Sequence, residues 1–190
     1  QNAREEIAEA GADGNINPRY VEVNFNQACN FKCSYCSPHL STTWEKEVKE
    51  HGPYTIAQGE HNNLDSLSNQ RLLPQKLAQN ENPYVEAFWK WWPELYPQLR
   101  HFRMTGGEPM MDKNTYRVFD YVLMNPSPKL HLSTTSNFSV EEELWQRYKG
   151  YVTMLCEVPD RVEHFMQYVS LDGFFEQAEY MRHGLDFNLL

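Results

Sequence analysis

Residues 19–27, RYVEVNFNQ, alternate along the chain: Val21, Val23 and Phe25 fall on one side, Glu22, Asn24 and Asn26 on the other. That period of two predicts a half-buried strand. Further strands are predicted at 99–104 (LRHFRM), 129–137 (KLHLSTTSN) and 165–173 (FMQYVSLDG). Between them the period becomes helical. Residues 85–95 set Phe88, Trp91, Trp92 and Leu95 on one face, which predicts packing into a core, with Pro93 kinking or ending the helix. Helices are also expected over 42–51, over 114–124 and over 176–184, the last with Gly184 as its C-cap. Ser139 and Glu142 form an S-x-x-E capping box ahead of Leu144, Tyr148, Tyr151 and Leu155, which predicts one more helix and places Cys156 along it as a buried apolar thiol. Residues 1–12 predict a short helix. Residues 52–83 are rich in Asn, Gln, Pro and Gly, lack a period, and read as an irregular insertion.

From residue 19 onward the order is strand then helix, four times over. That order predicts an α/β fold of parallel strands joined by helical crossovers. The organisation expected is an N-terminal extension over 1–18 followed by one domain over 19–190, interrupted by the insertion at about 52–83. Composition agrees with this. In 190 residues, 41% are hydrophobic and 14% aromatic, enough for a core. The mean hydropathy of −0.71 and the lack of a long apolar run argue against a membrane span. The first twenty residues show no secretory leader pattern. A net charge of −9 disfavours nonspecific binding to nucleic acid or anionic lipid.

The polar residues collect at the strand ends. The first strand runs into QACNFKCSYCSPH, which holds three of the four cysteines, Cys29, Cys33 and Cys36. The others run into Thr105-Gly106-Gly107-Glu108-Pro109, Thr134-Thr135-Ser136-Asn137 and Ser170-Leu171-Asp172-Gly173. In parallel α/β folds the loops after the strands converge and build the ligand site. Three thiolates at C-x3-C-x2-C spacing suit three irons of a 4Fe–4S cluster, with the fourth iron left open. They also suit a Cys3His zinc site in which His39 completes the set and the protein is a non-catalytic binding module.

CNFKCSYC followed by TGGEP resembles the radical S-adenosylmethionine (SAM) enzymes. The likeness covers about residues 19–184 and rests on the cysteine spacing, on Tyr35 before the third cysteine and on the GGEP after the next strand. It implies a partial (β/α) barrel, of which four units are visible here against the usual six. It implies that Cys29, Cys33 and Cys36 ligate a 4Fe–4S cluster and that the SAM amino and carboxylate groups chelate the open iron. Gly106, Gly107 and Glu108 would hold the methionine amine, and Tyr35 would lie near the adenine. Asn137 lines the same site, Ser170 and Asp172 match an S-x-D-G strand end that reaches the ribose, and Arg182 is the candidate for the SAM carboxylate. One electron would then split SAM into methionine and a 5′-deoxyadenosyl radical that removes hydrogen from a substrate. The resemblance further implies an electron donor such as flavodoxin or ferredoxin, and a reducing, cytoplasmic setting. SLDGFFEQAEYMRHGLDF looks like the twitch or SPASM-like branch, whose members often modify peptides or proteins. The alternative within the family is a small-molecule enzyme similar to 7-carboxy-7-deazaguanine synthase.

Overall fold

The computed structural model describes residues 3–52, 64–69 and 82–190. Most of the predicted insertion, and Gln1 and Asn2 of the expected first helix, lie outside these residues. After helix α1 (Ala3–Ala10), the alternation around Val21 becomes strand β1 (Tyr20–Asn24). The cysteine loop contains a two-residue strand, β2 (Lys32–Cys33), and leads into α2 (Thr42–His51), capped by the Ser41 hydroxyl. A short α3 (Leu64–Asn69) falls within the stretch that shows no period in sequence.

Three helix–strand steps follow: α4 (Pro83–Leu95) leads into β3 (His101–Thr105), α5 (Lys113–Met124) into β4 (Ser127–Ser136), and α6 (Glu142–Glu157) into β5 (Val162–Val169). The chain closes with α7 (Phe175–Met181) and β6 (Arg182–His183). β1, β3, β4 and β5 form one sheet in that order, and every pairing is parallel. β2 and β6 pair antiparallel as a separate clasp that sets Cys33 opposite Arg182. The fold is thus α/β, with a parallel sheet flanked by helices. The sheet stays open among the described residues, with β1 and β5 at its edges.

Burial explains the arrangement. Phe102 and Met104 of β3 and Leu130 and Leu132 of β4 lie beneath α4, α5 and α6, which supply Trp92, Leu95, Val118, Phe119, Val122, Tyr148 and Leu155. All are buried. The aromatic run of α4 is therefore core, as its spacing predicts: Trp92 is 1% exposed and meets Phe102, Phe88, Tyr96 and Tyr121 at ring-centroid distances of 4.8 to 5.8 Å. Pro93 sits inside α4, which passes into a 3-10 turn at Tyr96–Gln98 three residues later. The opposite face of the sheet is polar and, among the described residues, uncovered, carrying Tyr20, Glu22, His101, Arg103, His131 and His164.

Three local expectations are corrected. The Ser139–Glu142 capping box does not form, because the Ser139 N–H donates to Asn137 Oδ1 (2.9 Å) and its carbonyl accepts from Asn30 Nδ2. The helix starts at Glu142 instead, with Glu141 as an N-cap that makes no side-chain bond. Gly184 does not cap α7, which ends at Met181. Its φ of +109° serves a close approach: a Cβ there would lie 3.0 Å from the Phe31 ring and 3.1 Å from the Asn30 carbonyl. Cys156 is exposed rather than buried, because α6 presents Tyr148 and Leu155 to the core and turns Cys156 outward.

The indole nitrogen of Trp92 is buried with no hydrogen-bond partner among the described residues. Trp92→Ala should cost about 3–5 kcal/mol in urea unfolding. Trp92→Phe should cost clearly less, since it also removes an unsatisfied donor. Equal losses for the two variants would mean that Nε1 has a partner.

Candidate functional site

The segments that follow β1, β3, β4 and β5 meet at one end of the sheet, and specific bonds tie them together. Glu108 N–H donates to the Ala28 carbonyl at 2.7 Å and Gly107 N–H to the Asn26 carbonyl at 3.3 Å, so the glycine turn lies along the cysteine loop. Glycine is required there by space. A Cβ on Gly107 would stand 2.2 Å from the Ala28 oxygen, and one on Gly106 2.4 Å from Asn24 Oδ1, with Gly106 also at φ +130°.

Glu108 is 1% exposed, and its carboxylate joins two segments, its own turn and the end of β4. Oε1 accepts from Met110 N at 3.0 Å and from Ser136 Oγ at 2.8 Å, while Oε2 accepts from Asn137 N at 2.7 Å. It caps the turn Pro109–Met111 and clamps the end of β4 to that turn. Burial raises its pKa, and the three hydrogen bonds oppose that rise. Asn137 completes a ring of contacts by donating to Asn30 Oδ1 at 2.7 Å, inside the cysteine loop. Ser170 N–H donates to the Ser136 carbonyl at 2.8 Å, which carries the end of β5 to the same place.

The cysteine loop is built from short polar bonds. Ser41 Oγ donates to the Phe31 carbonyl at 2.9 Å, Trp44 Nε1 to the Cys33 carbonyl at 2.8 Å, and Thr43 Oγ1 to the Cys29 carbonyl. Cys36 N–H closes a turn onto the Cys33 carbonyl at 2.9 Å. Phe31, Cys33, Ala178 and Leu185 make a small buried cluster against which Cys29 and Cys36 pack. All three are free thiols. Burial pushes Cys29 up to about 11, helped by Glu108 and the other two sulfurs. Burial also raises Cys33, opposed chiefly by the Arg182 charge, and raises Cys36.

Arg182 is buried against this group. Its Nη1 lies 3.6 Å from Cys33 Sγ, and its guanidinium is 5.5 Å from the centre of the Tyr35 ring. Its Nε is 2.6 Å from Asp172 Oδ2, as an ion pair whose N–H is angled away from the oxygen. The Tyr35 hydroxyl donates to the same Oδ2 at 2.7 Å. Burial pulls the Asp172 carboxyl upward, but the bond from Tyr35 and the adjacent Arg182 charge hold it below its ordinary range. Burial likewise raises the Tyr35 hydroxyl, as does its bond to the Asp172 carboxylate.

The structure therefore gathers all eleven sequence-singled residues, Cys29, Cys33, Cys36, Tyr35, Gly106, Gly107, Glu108, Asn137, Ser170, Asp172 and Arg182, at the carboxyl end of the sheet. Among the described residues no three His, Cys, Asp or Glu side chains converge closely enough to hold one metal ion in common. His39 is turned to Ser37, with Nδ1 2.7 Å from the hydroxyl. The supporting residues were not singled out in sequence. Asn26 takes the Ala28 N–H at 2.7 Å and donates to Asp112, while Asn30 bridges to Ser139 and Asn137. Asp112 was the one of them with a readable signal, because a helix expected from 114 calls for an acidic or polar N-cap just before it.

Because the folded-state pKa of Glu108 is raised, its protonated form is favoured by folding, and the associated stability is lost as pH rises from about 4.5 through that raised value. Glu108→Gln should abolish this component of the pH–stability curve. Glu108→Ala should cost about 2–5 kcal/mol by leaving buried donors unpaired, read from denaturant midpoints at several pH values. A pH profile unchanged by Glu108→Gln would mean that Glu108 is not the group responsible. No protein-family model matches the chain, no curated protein matches it, and no solved structure matches it.

Proposed function

We propose that this chain is the core of a radical SAM enzyme, its four parallel strands forming part of a (β/α) barrel of that type. One observation carries the reading. The GGEP turn, 70 residues from the CNFKCSYC loop by the span Cys36 to Gly106, is hydrogen-bonded to Asn26 and Ala28 just before that loop, and Asn137 at the end of β4 bridges the two by bonding both Glu108 and Asn30. Two sequence motifs with one implied function thus occupy one place.

The donor set suits a 4Fe–4S cluster, in which three thiolates at C-x3-C-x2-C spacing would take three irons and leave the fourth open. Cys33 belongs to one small buried cluster against which Cys29 and Cys36 pack, with the buried Arg182 cation beside Cys33 to offset the negative charge of the ligands. A reduced cluster held by Cys29, Cys33 and Cys36 would supply one electron to bound SAM, parting it into methionine and a 5′-deoxyadenosyl radical able to take hydrogen from a substrate, with a peptide or protein as the leading class.

The chain's own residues have separable tasks. The three thiols, protonated at neutral pH, must release protons on loading. Gly106 and Gly107 let the backbone come close to the site, and their carbonyls suit an ammonium group. Glu108 acts by holding that turn in place, since its oxygens already accept three bonds. Tyr35, Ser170, Asp172 and Arg182 border the site on the β5 side and suit the nucleoside and carboxylate of SAM.

Anaerobic reconstitution with iron and sulfide should give about four irons per chain and an EPR signal that changes on adding SAM. Cys33→Ala should lose both. Loading should quicken between pH 7 and 9 as the thiolate fraction rises toward the elevated Cys29 pKa of about 11. Stoichiometric zinc with no cluster would overturn the reading.

A further inference from the structure

Cys33 and Arg182 stand opposite one another in the β2–β6 clasp, and in an antiparallel pair opposite residues put their side chains on the same side of the ribbon. The clasp pairs only Lys32 with His183 and Cys33 with Arg182, so this contact is half of it. The backbone around it is held on both sides. Ser34 N–H donates to the Met181 carbonyl at 2.8 Å, and Leu185 N–H closes a turn onto the Arg182 carbonyl at 2.9 Å. Gly184, at φ +109°, lets that turn lie against Asn30 and Phe31.

Arg182 is 7% exposed, and a guanidinium taken out of water is costly unless its charge is balanced. Asp172 balances it, with Oδ2 2.6 Å from Nε, and the Tyr35 hydroxyl donates to that same oxygen at 2.7 Å. The carboxylate and the phenol thus fix the guanidinium so that Nη1 meets Cys33 Sγ at 3.6 Å, the only hydrogen bond this side chain makes among the described residues. The three sulfurs are not equivalent. Cys36 Sγ donates to the Ser37 carbonyl at 3.8 Å, whereas Cys33 Sγ accepts from a buried cation.

We propose that Arg182 acts through Cys33 to set the reduction potential of the cluster, raising it by its bond to Sγ whether or not SAM is bound. The proposal rests on the iron–sulfur reading above. Its sign follows from charge. Reduction adds one electron, and so one negative charge, to a group whose ligand sulfurs already carry negative charge. A cation that also donates an N–H to one of those sulfurs stabilises the reduced form more than the oxidised form. Burial keeps salt from screening the effect. Asp172 and Tyr35 are positioning residues in this arrangement, since they hold the guanidinium on the sulfur.

The test reads the potential without SAM, which makes it blind to any contact between Arg182 and SAM. Each protein is reconstituted anaerobically, its iron is counted, and the cluster is titrated with dithionite and redox mediators while EPR follows the reduced form. Arg182→Met removes both the charge and the donor. It should hold about four irons per chain and show an equilibrium constant for one-electron reduction at least tenfold smaller, a fall of about 59 mV or more. Arg182→Lys keeps a cation in the clasp without the planar fork and should recover part of that loss. Arg117→Gln removes one positive charge from the exposed side of α5 and should leave the potential unchanged. Where Arg182→Met loads poorly, Arg182→Gln takes its place, with a fall of the same sign expected. Equal potentials in the wild type and the Arg182 variants would overturn the proposal, even if SAM bound more weakly to the variants, and would leave the cluster reading intact. A fall as large in Arg117→Gln would overturn it too, since net charge would then be the cause. A wild type that forms no cluster would overturn both readings.

Discussion

The buried carboxylate of Glu108 is the interaction on which the rest of the site depends. A carboxylate removed from water is costly unless its oxygens are satisfied, and here three donors from two segments satisfy them. Its backbone N–H is bonded to a third segment, the cysteine loop. One residue therefore holds the strand ends of β1, β3 and β4 in fixed relation. The glycines before it make this possible, because any side chain at 106 or 107 would drive the turn away from the loop it must touch.

The second constraint is the clasp of β2 with β6. It brings a residue 149 positions away in sequence, Arg182, against Cys33. A buried guanidinium needs compensation, and Asp172 provides it from the loop after β5, with Tyr35 sharing the same oxygen. The clasp thus brings opposite charges, a phenol and a thiol into one contact set. It also seals the underside of the cysteine loop, where Phe31 packs on Ala178 and Leu185.

Among the described residues the sheet departs from the usual parallel arrangement, in which both faces are covered and apolar. Here α4, α5 and α6 cover one face, while the other presents polar side chains in register across the strands. His101 stacks on His131 at 4.7 Å, and His164 follows at 6.2 Å. One rung higher, Arg103 donates to Thr135 Oγ1 and lies 4.7 Å from the centre of the Tyr168 ring. The β5 edge exposes Met166, Tyr168 and Val169. This polar face runs up to the strand ends where the site lies.

Periodicity alone determined the four parallel strands, the crossover helices and the burial of the α4 aromatics, because hydrophobic alternation records which side of an element meets the core. The motifs singled out the residues that meet at the carboxyl end of the sheet, since cysteine spacing and paired glycines are local patterns. Tertiary structure decided the rest. It assigned Glu108 an internal clamping role, turned Cys156 outward, cancelled the Ser139 capping box in favour of bonds to Asn30 and Asn137, and gave Gly184 a close approach instead of a helix end. Each outcome depends on a partner distant in sequence, and no local pattern encodes which distant group will claim a given donor, acceptor or van der Waals gap.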